Sequence, residues 1–197
     1  MSFDGLAIVS AASESLTTML RTLDEQAWGR PAAAVGWTCR ATMEHIGGVY
    51  AHYAGQIASN PADHYVAFGF DLGRADSHDK LVEAVETAGR LLQAAVQAAP
   101  QLSRSWHPQG RLTPDGFAAV AACEALVHGH DIAVGLSSSW LPDDVISGAV
   151  LTALFPDALV HAEHHAAADL LLWATGRLSL AGLPPRDSWN YRAAASL

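Results

Sequence analysis

Four stretches of helical hydrophobic periodicity fill the first two thirds of this 197-residue sequence. Their apolar side chains recur at three- and four-residue intervals, the spacing that gathers side chains on one face of an α-helix. Thr113 followed by Pro114 is a typical start of a helix, and Pro100 is a typical stop. A four-helix bundle is the fold that such a pattern favours. The pattern predicts helices over residues 3–27, 38–60, 77–99 and 113–135.

The sequence changes character after Gly135, where a stretch containing Ser and Pro opens a C-terminal segment. Two shorter helical patterns follow, near residues 143–154 and 158–175. We therefore expect an all-α protein with a bundle domain, residues 1–136, and a small, mainly helical C-terminal appendage, residues 137–197, packed on it. The bundle has two predicted loops of more than ten residues, and loops of that length are usually functional.

The charge balance narrows the class of function. Eleven Lys and Arg against 20 Asp and Glu give a net charge of −9, which argues against a protein that coats nucleic-acid phosphates or binds an acidic membrane surface. Because there is no run of 18 apolar residues and no basic N-terminal leader, we expect neither a transmembrane helix nor a signal peptide. The two cysteines, Cys39 and Cys123, form no paired motif, which fits a reduced, cytoplasmic protein.

The segment EALVHGHD, residues 124–131, carries the strongest chemical signal. Glu124 and His128 are four residues apart, so on a helix they share a face, with Cβ atoms about 5–6 Å apart. Two side chains in that relation can bind one metal ion from a single helix. Asp131 continues the same stripe, whereas His130 lies about 200° around the helix from His128 and cannot easily share its site.

A third ligand has to come from another helix, and the second predicted helix presents His45 and His52 on one face. From the residues alone two interpretations stay open. One is a metal site, and the other is a core in which a Glu–His pair satisfies both partners by hydrogen bonding. A ligand set of His and Glu suits zinc, nickel, iron and manganese alike, so the residues alone do not identify the metal.

Three segments resemble one family, in chain order. WTCRATMEHI, residues 37–46, is similar to the "GWT-x-R-x-x-x-x-H" start of the second helix in the DinB-like superfamily, in particular in its mycothiol-dependent maleylpyruvate isomerase branch, found in actinobacteria. EALVHGHD matches the "E-x-L-x-H-x-x-D" signature of that branch, and LLWATGR, residues 171–177, resembles a C-terminal stretch of its extended members. The resemblance implies a DinB-like four-helix bundle.

The resemblance also implies that His45, Glu124 and His128 bind a metal ion, most readily zinc, and leave one coordination position open, as in catalytic zinc sites. Mycothiol, a low-molecular-weight thiol, is the implied co-substrate, held as a metal-bound thiolate. The thiolate would attack an electrophilic small molecule, by S-transfer or by cis/trans isomerisation. His52 and Asp131 follow the same stripes as the ligands and are candidates for substrate contact, ligand orientation or proton transfer.

Further candidates for substrate binding are Trp106 and His107, in the long loop before the fourth helix, and Arg177, as a carboxylate contact. The isomerases that name the family are expected to carry a larger C-terminal domain than this chain, so maleylpyruvate itself is not assigned as the substrate. Two alternatives stay open. One is a non-catalytic metal- or ligand-binding module, favoured by a fourth protein ligand such as His52, and the other is a metal-dependent hydrolase. A homodimer is possible for such a bundle.

Overall fold

The computed structural model describes residues 3–33, 36–73 and 75–186, and in that part of the chain the regular elements are all helices. Two short 3-10 helices, Glu25–Gly29 and Ala158–His161, follow the first and fifth α-helices. The predicted all-α fold is confirmed. The six α-helices are α1 Gly5–Leu20, α2 Cys39–Ser59, α3 His78–Ala98, α4 Pro114–Gly135, α5 Asp144–Leu154 and α6 Ala167–Ala174.

The first four helices form a bundle in which α1 and α2 occupy opposite corners, and each packs against both α3 and α4. The directions of α2 and α4 follow from two contacts. His45 in the first half of α2 meets Glu124 at the middle of α4, and Tyr53 further along α2 meets Phe117 near the start of α4. The two helices are therefore antiparallel, and their register brings both sequence motifs to the same level of the bundle.

The central helix is α4, whose side chains are apolar around its whole circumference and mostly buried. A helix without a polar face is typical of a protein interior or a membrane. By length and composition α4 is long enough to cross a membrane, but 83% of its most apolar window is buried inside the protein, as expected of a core helix. Glu124, His128 and Asp131 are polar side chains in this largely apolar helix, as are Asp115 and His130.

Local capping signals set the ends of α2 and α4. Thr38 caps α2 and Thr113 caps α4, because each side-chain oxygen accepts a backbone N–H three residues further on, at 3.2 and 3.0 Å. Asn60 ends α2 in the left-handed conformation, with φ of 47°. The predicted bounds of the second, third and fourth helices are confirmed to within a residue. These caps set the residues at which α2 and α4 begin, and therefore how far along each helix His45 and Glu124 lie.

The first helix is shorter than the sequence predicts. The periodicity extends over residues 3–27, but α1 ends at Leu20 and a separate 3-10 helix follows. Thr22 explains the break, because its backbone N–H and its hydroxyl both donate to the carbonyl of Met19, at 2.9 and 2.7 Å. Such local bonds compete with the regular helical pattern.

The C-terminal appendage also differs from the prediction in detail. The pattern over residues 158–175 predicts one helix, whereas the structure has the second 3-10 helix, a turn and then α6. Asp144 of α5 accepts the backbone N–H of Ala168 at 2.8 Å and so caps α6 from another helix. The appendage shares a continuous apolar core with the bundle, since α5 packs on α1 and α4, and α6 packs on α5. Its predicted last residues, 187–197, lie outside the described part of the chain.

One buried side chain, Gln56, ties the two long loops of the bundle to α2. Its amide nitrogen donates to the carbonyl of His64 in the α2–α3 loop at 3.2 Å and to the carbonyl of Trp106 in the α3–α4 loop at 2.8 Å. Its amide oxygen accepts the backbone N–H of Val66 at 2.7 Å. Because these bonds lie on both sides of Tyr65, they fix its backbone relative to α2 and to the other loop.

Candidate metal centre

His45, Glu124 and His128 meet between α2 and α4 and are called the triad below. Atom Oε2 of Glu124 lies 3.1 Å from Nε2 of His45 and 3.1 Å from Nε2 of His128. The two imidazole rings stand nearly perpendicular, with their centroids 4.8 Å apart. One ligand atom from each residue lies within 4.8 Å of the other two. The structure thus brings together the three residues that the family resemblance implies as ligands.

The donor set of the triad fits a divalent metal ion. Zinc–ligand bonds of about 2.0–2.1 Å place the ligand atoms of a tetrahedral site about 3.3–3.5 Å apart, close to the two contacts that Glu124 makes. The side chains of His45, Glu124 and His128 are 35, 14 and 6% exposed, so the centre opens to solvent on the His45 side. Three protein ligands and one open side are typical of catalytic rather than structural zinc sites.

Behind His128 lies a buried carboxylate, Asp131. Its Oδ2 accepts from Nδ1 of His128 at 2.9 Å. Since an ionised carboxylate only accepts hydrogen bonds, Nδ1 carries a proton and Nε2 is the nitrogen that faces Glu124. Asp131 thereby orients His128 toward the centre of the triad.

Arg177 holds Asp131 in turn. Its Nε and Nη2 donate to the two carboxylate oxygens at 3.2 and 3.0 Å, and its Nη1 donates to the carbonyl of Thr175 at 2.7 Å. The sequence-based expectation was a contact with a substrate carboxylate. The structure instead places the guanidinium in an ion pair inside the protein, on the far side of His128 from Glu124.

Two opposing effects set the protonation of the metal-free triad. Burial would raise the pKa of the Glu124 carboxyl, but hydrogen bonds from His128 and His45 outweigh it and lower the pKa to about 2. Burial would lower the pKa of His128, but the bonds to Asp131 and Glu124 outweigh it and raise the pKa above its usual value. The raised pKa favours a second proton on His128, at the Nε2 atom that faces Glu124, and a metal ion bound at Nε2 has to displace that proton.

The indole of Trp37 covers part of the solvent side of the triad. Its ring centroid lies 5.1 Å from the ring of His45 and 5.9 Å from that of His128, and the side chain is 42% exposed. Gly36, with φ of 71°, precedes it and the Thr38 cap follows it. The turn that starts α2 therefore also places the indole over the two imidazoles.

A second group of side chains, the aromatic wall, lies about 10 Å further along α2, which is two helical turns from His45. The Tyr65 ring meets the ring of His52 at 4.3 Å and that of Trp106 at 4.8 Å, in both cases edge-on. Nδ1 of His52 donates to the carbonyl of Phe68 at 3.2 Å, and Nε2 is buried without a partner. The aromatic wall consists of His52, Tyr53, Tyr65, Trp106 and His107.

The aromatic wall is uncharged near neutral pH at two of its titratable positions. Burial lowers the pKa of His107 to about 4, against an opposing effect of Glu124. Nδ1 of His107 accepts the backbone N–H of Gln109 at 3.2 Å, so Nε2 carries the hydrogen and donates to the Tyr53 hydroxyl at 3.2 Å. Burial and the charge of Glu124 raise the pKa of Tyr65 to about 12. Because Glu124 acts on both groups, the aromatic wall lies within electrostatic reach of the triad.

The sequence-based candidates outside the triad therefore separate into two places. Asp131 reaches the triad through His128. His52 lies in the aromatic wall with Trp106 and His107. Among the described residues, the group that could hold a metal ion consists of the triad and does not include His52.

Sequence reasoning missed Trp37 and Tyr65 as neighbours of the site. The available signal for Trp37 was its position directly before Thr38, the N-cap of α2, since α2 is the helix that carries His45. The signal for Tyr65 was its position in an unusually long loop, which does not indicate where the ring lies.

The comparisons with known proteins identify the family of this chain. The sequence model of a family described as the mycothiol maleylpyruvate isomerase N-terminal domain matches residues 9–133, well over half of the chain. The chain therefore belongs to this family, which confirms the resemblance to that branch of the DinB-like superfamily. Both bundle motifs, residues 37–46 and 124–131, lie inside the match. The comparison with curated protein sequences finds no significant match.

A solved structure, the crystal structure of the mycothiol-dependent maleylpyruvate isomerase, is similar to this chain with a TM-score of 0.69 at 13% sequence identity. At that identity the likeness shows the fold alone, and it confirms the DinB-like helical architecture. The alignment covers 94% of this chain and 95% of that chain. The alignment therefore includes most of the C-terminal appendage as well as the bundle.

Proposed function

We propose that this protein is a cytoplasmic enzyme that binds a divalent metal ion, most readily zinc, at His45, Glu124 and His128, and that it adds the sulfur of mycothiol to an electrophilic small molecule. The observation that carries the proposal is the convergence of three ligand atoms within 4.8 Å of one another, with one side open to solvent. The family and the structurally similar isomerase are both named for mycothiol, which supports the choice of thiol.

The chemistry follows from the charge at such a centre. A divalent cation supplies positive charge that lowers the pKa of a nearby thiol. The deprotonated sulfur forms a C–S bond to an electrophilic carbon. In S-transfer this bond is kept, and either the carbanion formed by addition to a double bond takes up a proton or a leaving group departs from the carbon with its electron pair. In cis/trans isomerisation the adjacent carbon–carbon bond becomes single and rotates, and the sulfur then leaves with its electron pair, so that the double bond and the thiol are both regenerated.

The residues around the triad have distinct proposed roles. Asp131 and Arg177 are positioning residues, since they act through the orientation of His128. Trp37 shields the imidazoles from bulk water on the open side. Trp106 and His107 form the wall of the substrate site, and the contact between His52 and Tyr65 extends that wall toward α2.

The structure favours an open catalytic centre over a closed, non-catalytic metal site. A closed site needs a fourth protein ligand, and His52 was the candidate. Its Nδ1 is engaged with the carbonyl of Phe68, and its ring packs against Tyr65, two helical turns from His45.

Elemental mass spectrometry on untagged protein tests the metal site. We expect close to one zinc per chain in the natural sequence and a sharp loss in His128→Ala. His130→Ala is the matched control, because this residue lies two positions away and outside the triad. Metal that is absent, or that is unaffected by His128→Ala, would reduce the triad to a hydrogen-bonded core cluster. With the metal established, loss of mycothiol in the presence of a panel of electrophiles tests the reaction, and an inert thiol pool across the panel contradicts it.

A further inference from the structure

Gly48 is a helical glycine that packing does not explain. It lies in the middle of α2, half-buried, and a Cβ built on it would have no atom within 4 Å. The neighbouring Gly47 is different, because a Cβ there would lie 2.3 Å from the ring of Phe70. Glycine inside a helix destabilises it relative to alanine. The space beside Gly48 is thus left open although a side chain there would strengthen α2.

The position of Gly48 connects this open space to the site. Gly48 follows His45 by three residues and precedes His52 by four, so all three lie on one face of α2. The space over Gly48 is therefore bordered by the triad at one end and by the aromatic wall at the other. A ligand whose reacting atom is at the triad has room to extend along this face.

The far end of this space is lined by polar atoms of Tyr65 and His52. The Tyr65 hydroxyl has no hydrogen-bond partner among the described residues, and the pKa of Tyr65 near 12 keeps it protonated. Nε2 of His52 is buried without a partner, and it is an acceptor in the tautomer whose Nδ1 donates to the carbonyl of Phe68. The aromatic wall contains no Lys or Arg. Hydroxyl or amide groups of a ligand therefore fit this end of the space better than a carboxylate does.

Building on the proposed function, we infer that the face of α2 over Gly48 binds the body of the thiol co-substrate, with its sulfur at the triad and its hydroxyl or amide groups at Tyr65 and His52. The thiol is favoured over the electrophile for two reasons. Its sulfur has to reach the triad, so the rest of the same molecule lies next to His45. The other end of the space offers one hydroxyl and one imidazole acceptor, which match neutral polar groups.

Thiol binding to cobalt-loaded protein tests this inference without turnover, because a thiolate that reaches Co²⁺ produces a sulfur-to-metal charge-transfer band. Two thiols are titrated, mycothiol and 2-mercaptoethanol. The second has only two carbons and one hydroxyl group besides its sulfur, so it is too small to extend along α2. In Gly48→Leu the side chain fills the space, and we expect mycothiol to bind about tenfold more weakly or worse. Tyr65→Phe removes one hydroxyl and should raise the dissociation constant of mycothiol about two- to tenfold. The dissociation constant of 2-mercaptoethanol should stay unchanged in both variants.

Ala58→Leu is the matched control, since it adds the same side chain at an exposed position of α2. Cobalt content and the thermal unfolding midpoint of each variant show that the triad and the fold are intact. If Gly48→Leu and Tyr65→Phe bind mycothiol as the natural sequence does, the inference is wrong while the proposed function stands. If the natural sequence shows no charge-transfer band with either thiol, the proposed function fails and the inference fails with it. An equal loss of both thiols in Gly48→Leu also overturns it, because the effect would then lie at the metal.

Discussion

Replacing Asp131 by Asn removes one charge with almost no change in shape, and the structure allows its effect to be estimated. The carboxylate accepts three donors, namely Nδ1 of His128 and two nitrogens of Arg177. An asparagine has one acceptor oxygen, and its amide N–H groups would face another donor. Asp131 is 1% exposed and Arg177 is 12% exposed, so the arginine charge would be left buried and unpaired. Breaking a buried ion pair costs about 3–5 kcal/mol of unfolding free energy.

The same substitution should weaken metal binding, because His128 loses the partner that fixes which nitrogen faces the triad. Loss of such a partner typically reduces metal affinity about 10- to 100-fold. Competition with a chromophoric chelator measures the zinc affinity, and urea unfolding measures the stability. Glu44→Gln is the control, since it removes a carboxylate that follows Met43 and precedes His45 in sequence but lies outside the triad. If Asp131→Asn loses stability but binds zinc as tightly as the control does, Asp131 does not orient the ligand and the reasoning is wrong.

Three further outcomes are expected. As the pH falls, zinc affinity should drop about tenfold per pH unit once His128 is mostly protonated. Because the pKa of His128 is raised, this drop should begin at a higher pH than for an ordinary histidine. A flat profile in chelator competition would argue against His128 as a ligand. Gln56→Leu should lower the unfolding free energy by about 2–4 kcal/mol, since three backbone groups lose their partner; urea denaturation measures this, and a change below about 1 kcal/mol contradicts it. Gly47→Ala should destabilise the protein by about 1–3 kcal/mol through contact with Phe70, whereas Gly48→Ala should stabilise it by about 0.5–1 kcal/mol; equal shifts in thermal unfolding would refute the contrast.

The parts of the fold that were predictable from sequence depend on local interactions. Thr38 and Thr113 act within one turn of their own helices, so the bounds of α2 and α4 follow from residues adjacent in sequence. The start of α6 does not follow from residues adjacent in sequence, because its cap is Asp144 from another helix. The end of α1 depends on Thr22, whose bonds to Met19 override a hydrophobic pattern that continues past it.

The candidate site likewise has features that could be predicted from the sequence and features that could not. The spacing of Glu124 and His128 on one helix could be read from the sequence, and the family resemblance supplied His45 on another. The position of Arg177 could not be predicted, because an arginine near a helix end pairs equally well with solvent, substrate or a buried carboxylate. Tyr65 was also unpredictable, since its place depends on the hydrogen bonds of Gln56 to the backbone around it.

The bonds of Gln56 have a consequence for how substrate range changes in this protein during evolution or recombination. One side chain on α2 holds residues 64 and 66 of one loop and residue 106 of the other. A loop transplanted alone from a relative would therefore disturb the loop that remains, whereas both loops exchanged together with α2 would keep their common anchor. Since α2 and α4 carry the triad, single substitutions at the tips of these loops alter the surroundings of the aromatic wall and leave the triad in place. Under the proposed function, selectivity and metal binding can thus diversify at separate positions of the chain.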